Sequence, residues 1–373
     1  MKKLTDICDI QYGYAFDSKK FTEDNSYPPI VRIRDIKRGF SETYYSGEYP
    51  KQYVLHAGDL LVGMDGEFNI ARWKDVDALL NQRVCKLTAK EGTNEEYLRF
   101  AMIKSLKAIE DKTAFVTVKH LSAKELNKLE LNVPSFREQD NVAKILTKLE
   151  KLILLREEEL KSLDKIIKAR FVELFGDPIK NPKGWEVVTI GDVVTEVRYG
   201  TSKPAVEGGK YPYLRMNNLT ADGHLDLNDL KYIDIPGDEI EKCVVRKGDV
   251  LFNRTNSIEL VGKTTVFDLS EDMIIAGYII RVRLNERLLP EVLSQYMNLE
   301  ALKDILRSMA KGAVNQANIN AQELQSIKVY IPDIKLQKQF VEMKEQVDKS
   351  KVIDTNIIPR GGFYNGHEFC ISK

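Results

Sequence analysis

The chain has 373 residues, of which 43% are hydrophobic and 30% are charged, and its 56 Lys and Arg residues balance 56 Asp and Glu residues. This length predicts two domains of ordinary size. No apolar run reaches the roughly 18 residues that a membrane-spanning helix needs. The balanced charge excludes a nucleic-acid binder that depends on overall basicity, so any such binding must come from local patches.

The N-terminal segment and the cysteines indicate a cytoplasmic protein. Asp6 and Asp9 interrupt the N-terminal segment before the apolar stretch of a signal peptide can form. The four cysteines are scattered, in neither a zinc-binding pattern nor a disulfide framework. We therefore expect a protein that has no membrane partner and holds its cysteines reduced.

Four segments of the first half recur in the same order in the second half, at an offset of roughly 190 residues. The matched pairs are "LTDICDIQYG" with "IGDVVTEVRYG", "YPPIVRIRDI" with "YPYLRMNNL", "AGDLLVGMDG" with "KGDVLFNRTN", and "LNKLELNVPSFREQ" with "LQSIKVYIPDIKLQ". The period is far longer than that of solenoid repeats, so each copy is a whole domain. We predict domains at residues 1–136 and 176–332.

Each copy has the pattern of an α+β fold. Short runs such as "YPYLRM" and "VVRKGDVLFNR" are rich in β-branched and aromatic residues and are broken by Gly-Asp turns, which predicts strands. Apolar residues three and four apart predict helices at residues 94–110 and 289–309. "LELNVP" and "IKVYIP" alternate strictly and end at Pro134 and Pro332, so each is expected to be a last strand.

A long helix follows each closing proline. Residues 137–175 contain no proline or glycine and have apolar residues at three- and four-residue steps, so they predict a helix of roughly 58 Å. A single apolar seam needs a partner helix, which residues 333–352 supply. We therefore expect an antiparallel coiled-coil pair. Residues 353–373 contain Pro359, Gly361 and Gly362 and predict an irregular tail.

The second copy carries three polar clusters that suit DNA reading, because Arg and Lys pair with guanine edges and Asn and Gln with adenine edges. The clusters are "FNRTNS", "LRMNNL" and "KGAVNQANIN". Their candidate residues are Arg215, Asn217, Asn218, Asn253, Arg254, Thr255, Asn256, Ser257, Lys263, Lys311, Asn315, Gln316 and Asn318. The alternative interpretations are a polar hairpin, ordinary turn chemistry and capping of the next helix.

The first copy has different residues at the matching positions. Its candidates come from the expected strand "IVRIRDIKRG", the turn "GMDGEFNIARWK" and the segment "KTAFVTVKH", and are Arg32, Arg34, Lys37, Arg38, Asn69, Arg72, Lys74, Lys112, Thr117 and Lys119. Asp65 and Glu67 could accept from a cytosine amino group, although acidic turn residues often only face solvent. Similar scaffolds with unlike tips predict two half-sites of different sequence.

No catalytic set accompanies these clusters. "GKTT" lacks the first glycine of a phosphate-binding loop, and the four histidines have no metal-ligand spacing. We therefore predict a chain that is not an enzyme by itself and holds no metal.

The order of these segments resembles a known family. A domain, "VPSFREQ", a long helix ending in "ARFVELFGDP", then "NPKGWEVVTIGDV" and a second domain with "GDVLFNRTNSIELVGK" is similar to the specificity subunit of type I restriction-modification systems, over residues 4 to 351 or so. The resemblance implies two tandem target-recognition domains. Each would read one half of an asymmetric bipartite site in double-stranded DNA, with half-sites about 10 base pairs apart from centre to centre.

The resemblance also implies the partners of the chain. The helices would set the gap between half-sites and dock modification and restriction subunits. S-adenosylmethionine, ATP and Mg would be needed only in those partner subunits of an endonuclease and adenine-N6 methyltransferase complex. The second helix is shorter than the family pattern, so the alternative hypothesis is a truncated or silent allele that acts only as a scaffold for the modification subunit.

Overall fold

The chain divides into two compact units in the computed structural model, which describes residues 1–112, 119–313 and 316–355. The described part of the first unit ends at Arg156 and the second unit begins at Glu157. This boundary lies inside the long helix, whereas the sequence placed it at the ends of that helix. No helix within the described ranges is both long and apolar enough to cross a membrane.

The first unit combines short strands with four short or medium helices and the start of the long one. Its elements are β1 (Lys2–Lys3), α1 (Leu4–Ile7), β2 (Cys8–Tyr12), β3 (Phe21–Thr22), β4 (Ile30–Val31), α2 (Ile33–Arg38), β5 (Tyr44–Tyr45), β6 (Val54–Leu55), β7 (Leu60–Gly63), β8 (Ile70–Arg72), β9 (Ala78–Leu80), β10 (Val84–Ala89), α3 (Glu95–Lys112), α4 (Ala123–Lys128), β11 (Glu130–Leu131) and the first part of α5 (Phe136–Phe175).

The second unit holds the rest of α5 and repeats much of this order. Its further elements are β12 (Glu186–Thr189), β13 (Val194–Tyr199), β14 (Tyr211–Leu214), β15 (Lys231–Ile233), α6 (Gly237–Cys243), β16 (Val244–Val245), β17 (Val250–Asn253), β18 (Thr255–Asn256), β19 (Thr264–Val266), β20 (Met273–Ile275), β21 (Ile279–Leu284), α7 (Pro290–Met297), α8 (Glu300–Met309), β22 (Lys311–Ala313), β23 (Gln316–Asn318), α9 (Ala321–Ser326), β24 (Lys328–Ile331) and α10 (Ile334–Thr355).

The two units share one sheet topology. The main sheet has the order β2-β10-β7-β8 in the first unit and β13-β21-β17-β19 in the second, and every pairing in it is antiparallel. A second sheet contains the parallel pair β4 with β9, matched by β14 with β20. The closing strand pairs with the first strand of its unit, as β1 with β11 and β12 with β24. The tandem repeat of the sequence is thus a repeat of the fold.

An aspartate shapes the Gly-Asp turn before the central strand of each main sheet. Gly58 and Gly248 have φ values of +97° and +94°, a conformation that favours glycine. The Asp59 carboxylate accepts from the His56 backbone N–H at 2.9 Å, and Asp249 accepts from that of Arg246 at 2.9 Å. The repeated "GD" blocks therefore encode the same capped turn.

Two of the predicted elements differ from the structure. The expected strand "IVRIRDIKRG" is a strand of two residues, β4, followed by helix α2. The helix forms because Asp35, three residues after Arg32, accepts from the backbone N–H of Arg32 and caps the first turn. The helix predicted at residues 289–309 is two helices, α7 and α8, separated at Asn298.

The long helices begin in the same way. Gln139 is buried at the start of α5, where its amide donates to the backbone oxygens of Gly92 and Pro134, and its oxygen accepts from Asn94 N. Gln337 at the start of α10 repeats this arrangement. Its amide donates to the oxygens of Arg287 and Pro332 at 2.9 Å, and its oxygen accepts from Leu289 N at 2.9 Å.

Helix α10 packs antiparallel against the part of α5 that belongs to the second unit. The Phe340 ring lies 5.3 Å from that of Phe171 and 5.7 Å from that of Phe175, between centroids. Near the other end of the contact, Lys351 donates to Asp164 at 2.6 Å. The helix predicted at residues 333–352 continues to Thr355, so the irregular tail cannot begin at residue 353, and residues 356–373 lie outside the described ranges.

The segment after α5 ends that helix firmly. Gly176 has a φ of +89°, and the Trp185 indole donates to the Phe175 carbonyl at 2.8 Å. The Lys183 ammonium donates to the last-turn carbonyls of Glu173 and Leu174 at 2.9 Å, satisfying acceptors that a helix end leaves open. "LFGDPIKNPKGW" is therefore a helix stop and the entry to the second unit.

We predict that Gln337→Leu destabilises the second unit by about 2 kcal/mol, because it removes the partners of the half-buried Leu289 N–H and of the carbonyl oxygens of Arg287 and Pro332, the last of which is buried. Hydrogen-exchange mass spectrometry across a denaturant series measures each unit separately, so the first unit is the internal reference. Gln322→Leu, at an exposed glutamine on α9, is the control. Equal unfolding midpoints for both variants would contradict the anchoring role.

Candidate nucleic-acid interface

A small three-stranded sheet in the second unit brings together two clusters that are distant in the sequence. Its strand order is β18-β23-β22, so "FNRTNS" lies beside "KGAVNQANIN". Thr255 pairs with Asn318 in this sheet, and the Thr255 hydroxyl donates to the Asn318 side-chain oxygen at 3.0 Å. Of the predicted residues, Arg254, Thr255, Asn256 and Asn318 are thus neighbours, and Ser257 begins the turn after β18.

Arg254 has the surroundings of a ligand-binding arginine. Its guanidinium lies over the Tyr199 ring at 5.0 Å from the centroid, a favourable cation–π distance. The Tyr199 hydroxyl accepts from Ala321 N at 2.8 Å, which fixes the ring against the start of α9. Among the described residues, the buried Nε of Arg254 has no hydrogen-bond partner. One terminal nitrogen of Arg254 donates to the Gly277 carbonyl in a long contact of 3.5 Å. A guanidinium positioned in this way and bound only weakly within the protein suits a guanine edge or a phosphate.

Asn253 and Asn256 have different roles. Asn253 is wholly buried, and its amide donates to the oxygens of Thr255 and Tyr278 at 3.1 and 3.2 Å. Its own oxygen accepts from the Asn256 amide at 2.9 Å. Because Asn253 is wholly buried in this conformation, it is a weaker candidate for DNA contact, and that contact stays a prediction. Asn256 is half-buried at the edge of the sheet and stays a candidate.

Lys263 and Asn218 stabilise a turn rather than forming a surface. Lys263 is buried and its ammonium donates to the backbone oxygens of Met216 and Leu219, while desolvation lowers its pKa. Asn218 is also buried, accepting from Arg215 N and donating to the Asp226 oxygen, each at 2.8 Å. Lys263 and Asn218 are therefore weaker candidates for DNA contact, which stays a prediction for both.

The other two residues of "LRMNNL" lie away from the small sheet, on the turn after β14. The Arg215 guanidinium donates to the Asp229 carboxylate at 2.6 Å, so its charge is already paired. Asn217 is exposed and remains a candidate for a phosphate or base contact.

A buried lysine supports the turn that follows β18. The Lys303 ammonium donates to the Gly262 oxygen at 2.7 Å and to the Asn298 side-chain oxygen at 2.9 Å. Burial lowers the pKa of Lys303 to about 8. Gly262 follows the buried residue Val261 near the C-terminal end of the turn. This end of the turn is therefore attached to α8.

In the first unit, helix α2 and the turn after β7 form a groove of about 370 Å³. Arg34, Lys37 and Asn69 line it together with the acidic residues Asp65 and Glu67. The Lys37 ammonium pairs with the Glu67 carboxylate, and this pairing holds the pKa of Glu67 below its usual range. The Arg34 side chain is 65% exposed. The structure therefore collects three predicted residues at one groove of mixed charge.

The other basic residues near α2 make contacts of their own. Arg32 donates to the Thr43 hydroxyl. Arg38 donates to Glu42 at 2.7 Å and its guanidinium stacks on Phe40 at 4.2 Å from the ring centroid. The Lys74 side chain is exposed, and its methylene groups lie against Gly39. Arg38 and Lys74 flank the groove but do not line it.

Arg72 and Lys119 lie in internal ion pairs. Arg72 donates to Glu95 at 2.7 Å and to Glu96, and thereby joins β8 to α3. Lys119 donates to Glu110 at 2.9 Å. Breaking a partly buried pair to reach DNA costs free energy, so these two residues are weaker candidates than Arg34.

A bridge between Asp65 and His120 occupies the position in the first unit that Thr255 and Asn318 occupy in the second. The Asp65 carboxylate contacts the His120 ring and accepts from Arg83 at 3.0 Å. Arg83 and His120 are exposed. The sequence analysis missed Arg83, because its cluster forms only through the fold.

Five of the predicted residues cannot be placed by their side chains. Thr117 and Asn315 lie outside the described residues, and for Lys112, Lys311 and Gln316 the description covers the backbone alone.

The fold and the site define a class of protein. Two copies of one α+β scaffold each present basic and amide side chains at a strand-turn edge, and the copies differ at these tips. The described ranges contain no group of three His, Cys, Asp or Glu residues that could hold a metal ion. These features are those of a two-part nucleic-acid reader.

The chain belongs to the family of type I restriction modification DNA specificity domains, whose model matches residues 1–165 and 182–358. It is the non-catalytic, DNA-recognising component of a type I restriction-modification system. This family membership favours the DNA-reading interpretation over the scaffold alternative.

Curated relatives agree with this assignment. The chain is 28% identical over 375 residues to the type I restriction enzyme EcoBI specificity subunit of Escherichia coli, covering 92% of this chain and 78% of the relative. It is 30% identical over 171 residues to the putative MjaX specificity subunit of Methanocaldococcus jannaschii, covering 45% of this chain and 40% of the relative.

Solved structures share the fold. A type I restriction-modification S subunit from M. genitalium matches 95% of this chain and 91% of its own, with a TM-score of 0.52 and 15% identity. A chain from a study of complex assembly and conformational transition in the type I restriction-modification system matches the same shares, with a TM-score of 0.53 and 20% identity. The α+β architecture of two tandem domains is confirmed.

We predict that Lys303→Met removes a pH dependence from the stability of the second unit. Between pH 8 and 10.5 the folded chain holds Lys303 neutral while the unfolded chain holds it charged. The unfolded state then binds more protons, so this lysine makes the free energy of unfolding rise with pH. From pH 7.5 to 9.5, the wild-type chain should gain about 2 kcal/mol relative to the variant.

Urea unfolding of both proteins at each pH, followed by hydrogen exchange in the second unit, measures this difference. Lys338→Met, at an exposed lysine on α10, is the control and should show no such trend. A constant difference between wild type and Lys303→Met would mean that Lys303 keeps its proton in the folded state.

Proposed function

We propose that each unit reads one half of an asymmetric bipartite site in double-stranded DNA. The small sheet that carries Arg254, Asn256 and Asn318 reads the second half-site, and the groove beside Arg34 and Lys37 reads the first. The observation that carries this assignment is the convergence on β18 and β23 of two amide-rich segments about 60 residues apart in the sequence. Amide and guanidinium groups at the edge of a sheet match the donors and acceptors of the major groove.

The partners follow from the family. In this proposal the long helices dock modification and restriction subunits in the cytoplasm, and α5, which runs without a break from one unit into the next, sets the gap between the half-sites. S-adenosylmethionine, ATP and Mg act in those partner subunits. This chain contributes sequence selection, and its own residues perform no bond-breaking step.

Selection on randomised double-stranded DNA tests the proposal. The purified full-length chain, alone and with its co-purified modification subunit, is used at two salt concentrations. We expect two short, different motifs at a fixed spacing. Binding that does not depend on DNA sequence comes from contacts with phosphates and weakens as salt rises. Uniform weak binding that falls steeply with salt would therefore support the scaffold alternative.

We predict that Arg254→Met weakens binding to the second motif by about 10- to 100-fold, because a bidentate arginine contact is worth that much discrimination. Competition binding with each motif varied separately measures the effect, and the preference for the first motif should not change. Arg307→Met is the control, since Arg307 lies on α8 and pairs with Glu300 and Asp304. Unchanged affinity and motif in the Arg254 variant would contradict a reading role for the small sheet.

A further inference from the structure

The turn between β18 and β19 presents two exposed aliphatic side chains beside the polar cluster of the small sheet. Ile258 and Leu260 are each 42% exposed. They follow Arg254 and Asn256 directly in the chain. Single exposed aliphatic residues are ordinary on protein surfaces. This pair differs from them in its fixed position and in the polar residues beside it.

The turn holds the pair in a fixed position. The Ser257 carbonyl accepts from Leu260 N at 3.1 Å and from Val261 N at 2.9 Å, and the Asn256 side chain accepts from Ser257 N at 2.9 Å. Gly262 has a φ of +78°, and a Cβ there would lie 2.5 Å from Leu306 on α8. Because both ends of the turn are anchored, little conformational entropy is lost when the pair is covered by a ligand.

The neighbours of the pair select the ligand. Arg254, Asn256 and Asn318 offer donors and acceptors for base edges. In the major groove, the C5-methyl group of thymine is the apolar feature of a base pair, and aliphatic side chains contact it. An anchored aliphatic pair beside amide and guanidinium groups therefore fits an A·T base pair read through its methyl group.

The matching turn of the first unit has different chemistry. In residues 64–69 the apolar side chains Met64 and Phe68 are both only 6% exposed. The exposed tip consists of Gly66 and Glu67, and Glu67 is acidic. The turn of the second unit is longer and also carries an exposed glutamate, Glu259, between Ile258 and Leu260. The two tips therefore differ in their exposed aliphatic side chains, which only the second unit has, and this difference supplies an internal comparison.

We propose that Ile258 and Leu260 contact the C5-methyl group of a thymine in the second half-site and are specificity-determining residues. The inference rests on the proposed function, in which the second unit reads DNA. It adds the identity of the group that is read, a base methyl, to the hydrogen-bonding contacts assigned to Arg254 and Asn256.

Replacement of thymine by deoxyuridine tests the contact, because it removes the methyl group and leaves the base-pairing and groove hydrogen-bonding groups in place. Each thymine on either strand of the selected second motif is replaced singly, and affinity is measured by competition. For the wild-type chain we expect a loss of about fourfold at one or two positions, the effect of one buried methyl group. The Ile258→Ser, Leu260→Ser double variant should bind less tightly and show no loss at those positions.

Two controls accompany the test. Val187→Ser, at an exposed residue on β12 outside the small sheet, should respond to deoxyuridine as the wild type does. Deoxyuridine in the first motif should affect wild type and double variant equally. The inference is overturned if the second motif contains no A·T pair, if no deoxyuridine lowers the affinity, or if the loss persists in the double variant. Each of these outcomes leaves the two selected motifs intact, whereas failure of the proposed function returns no motifs.

Discussion

A buried glutamine fixes the start of each long helix, and the rest of the structure depends on this contact. The side-chain amides of Gln139 and Gln337 each form hydrogen bonds with three backbone groups of their own unit. One group belongs to the closing proline, and the other two belong to the segment just before α3 in the first unit or α7 in the second. A side chain that binds three backbone groups in one place defines direction as well as position. Each glutamine therefore fixes the start of its helix to the body of the unit that it belongs to.

The residues at the tips of the units can vary because the polar groups of the underlying scaffold are already bound within the protein. Asp59 and Asp249 cap the turns before the central strands, while Arg72 and Lys263 use their charges on internal partners. The Arg254 guanidinium instead makes only a long 3.5 Å contact with the Gly277 carbonyl, and the Arg34 side chain stays 65% exposed at the groove although its Nε lies 3.8 Å from the Asp35 carboxylate. The polar residues thus divide into a set that holds the scaffold and a set that is available to a ligand.

The sequence predicted the duplicated fold and the long helix, because repeats and the absence of proline and glycine are local signals. It also placed Gln139 and Gln337 at matching positions, although their burial follows only from packing. Polar clusters were harder to interpret, since a run such as "FNRTNS" does not reveal which amides bind their own backbone. Asn253 is buried because all four residues of β17 are buried, whereas Asn256 lies beyond the end of that strand. The Arg83 contact with Asp65 could not be predicted, because it joins segments that only the fold brings together.

The asymmetry of the expected DNA site follows from the separation of residues that hold the scaffold from residues that are available to a ligand. The bridge at the tip is an Asp65 and His120 pair in the first unit and a Thr255 and Asn318 pair in the second. Both pairs join the same two segments, so a carboxylate and an imidazole in one unit do the structural work that a hydroxyl and an amide do in the other. Exchange of side chains at this position changes the donors and acceptors offered to DNA without changing strand register. A duplicated scaffold can therefore diverge into two readers of different sequence while its helices and their buried glutamines stay the same.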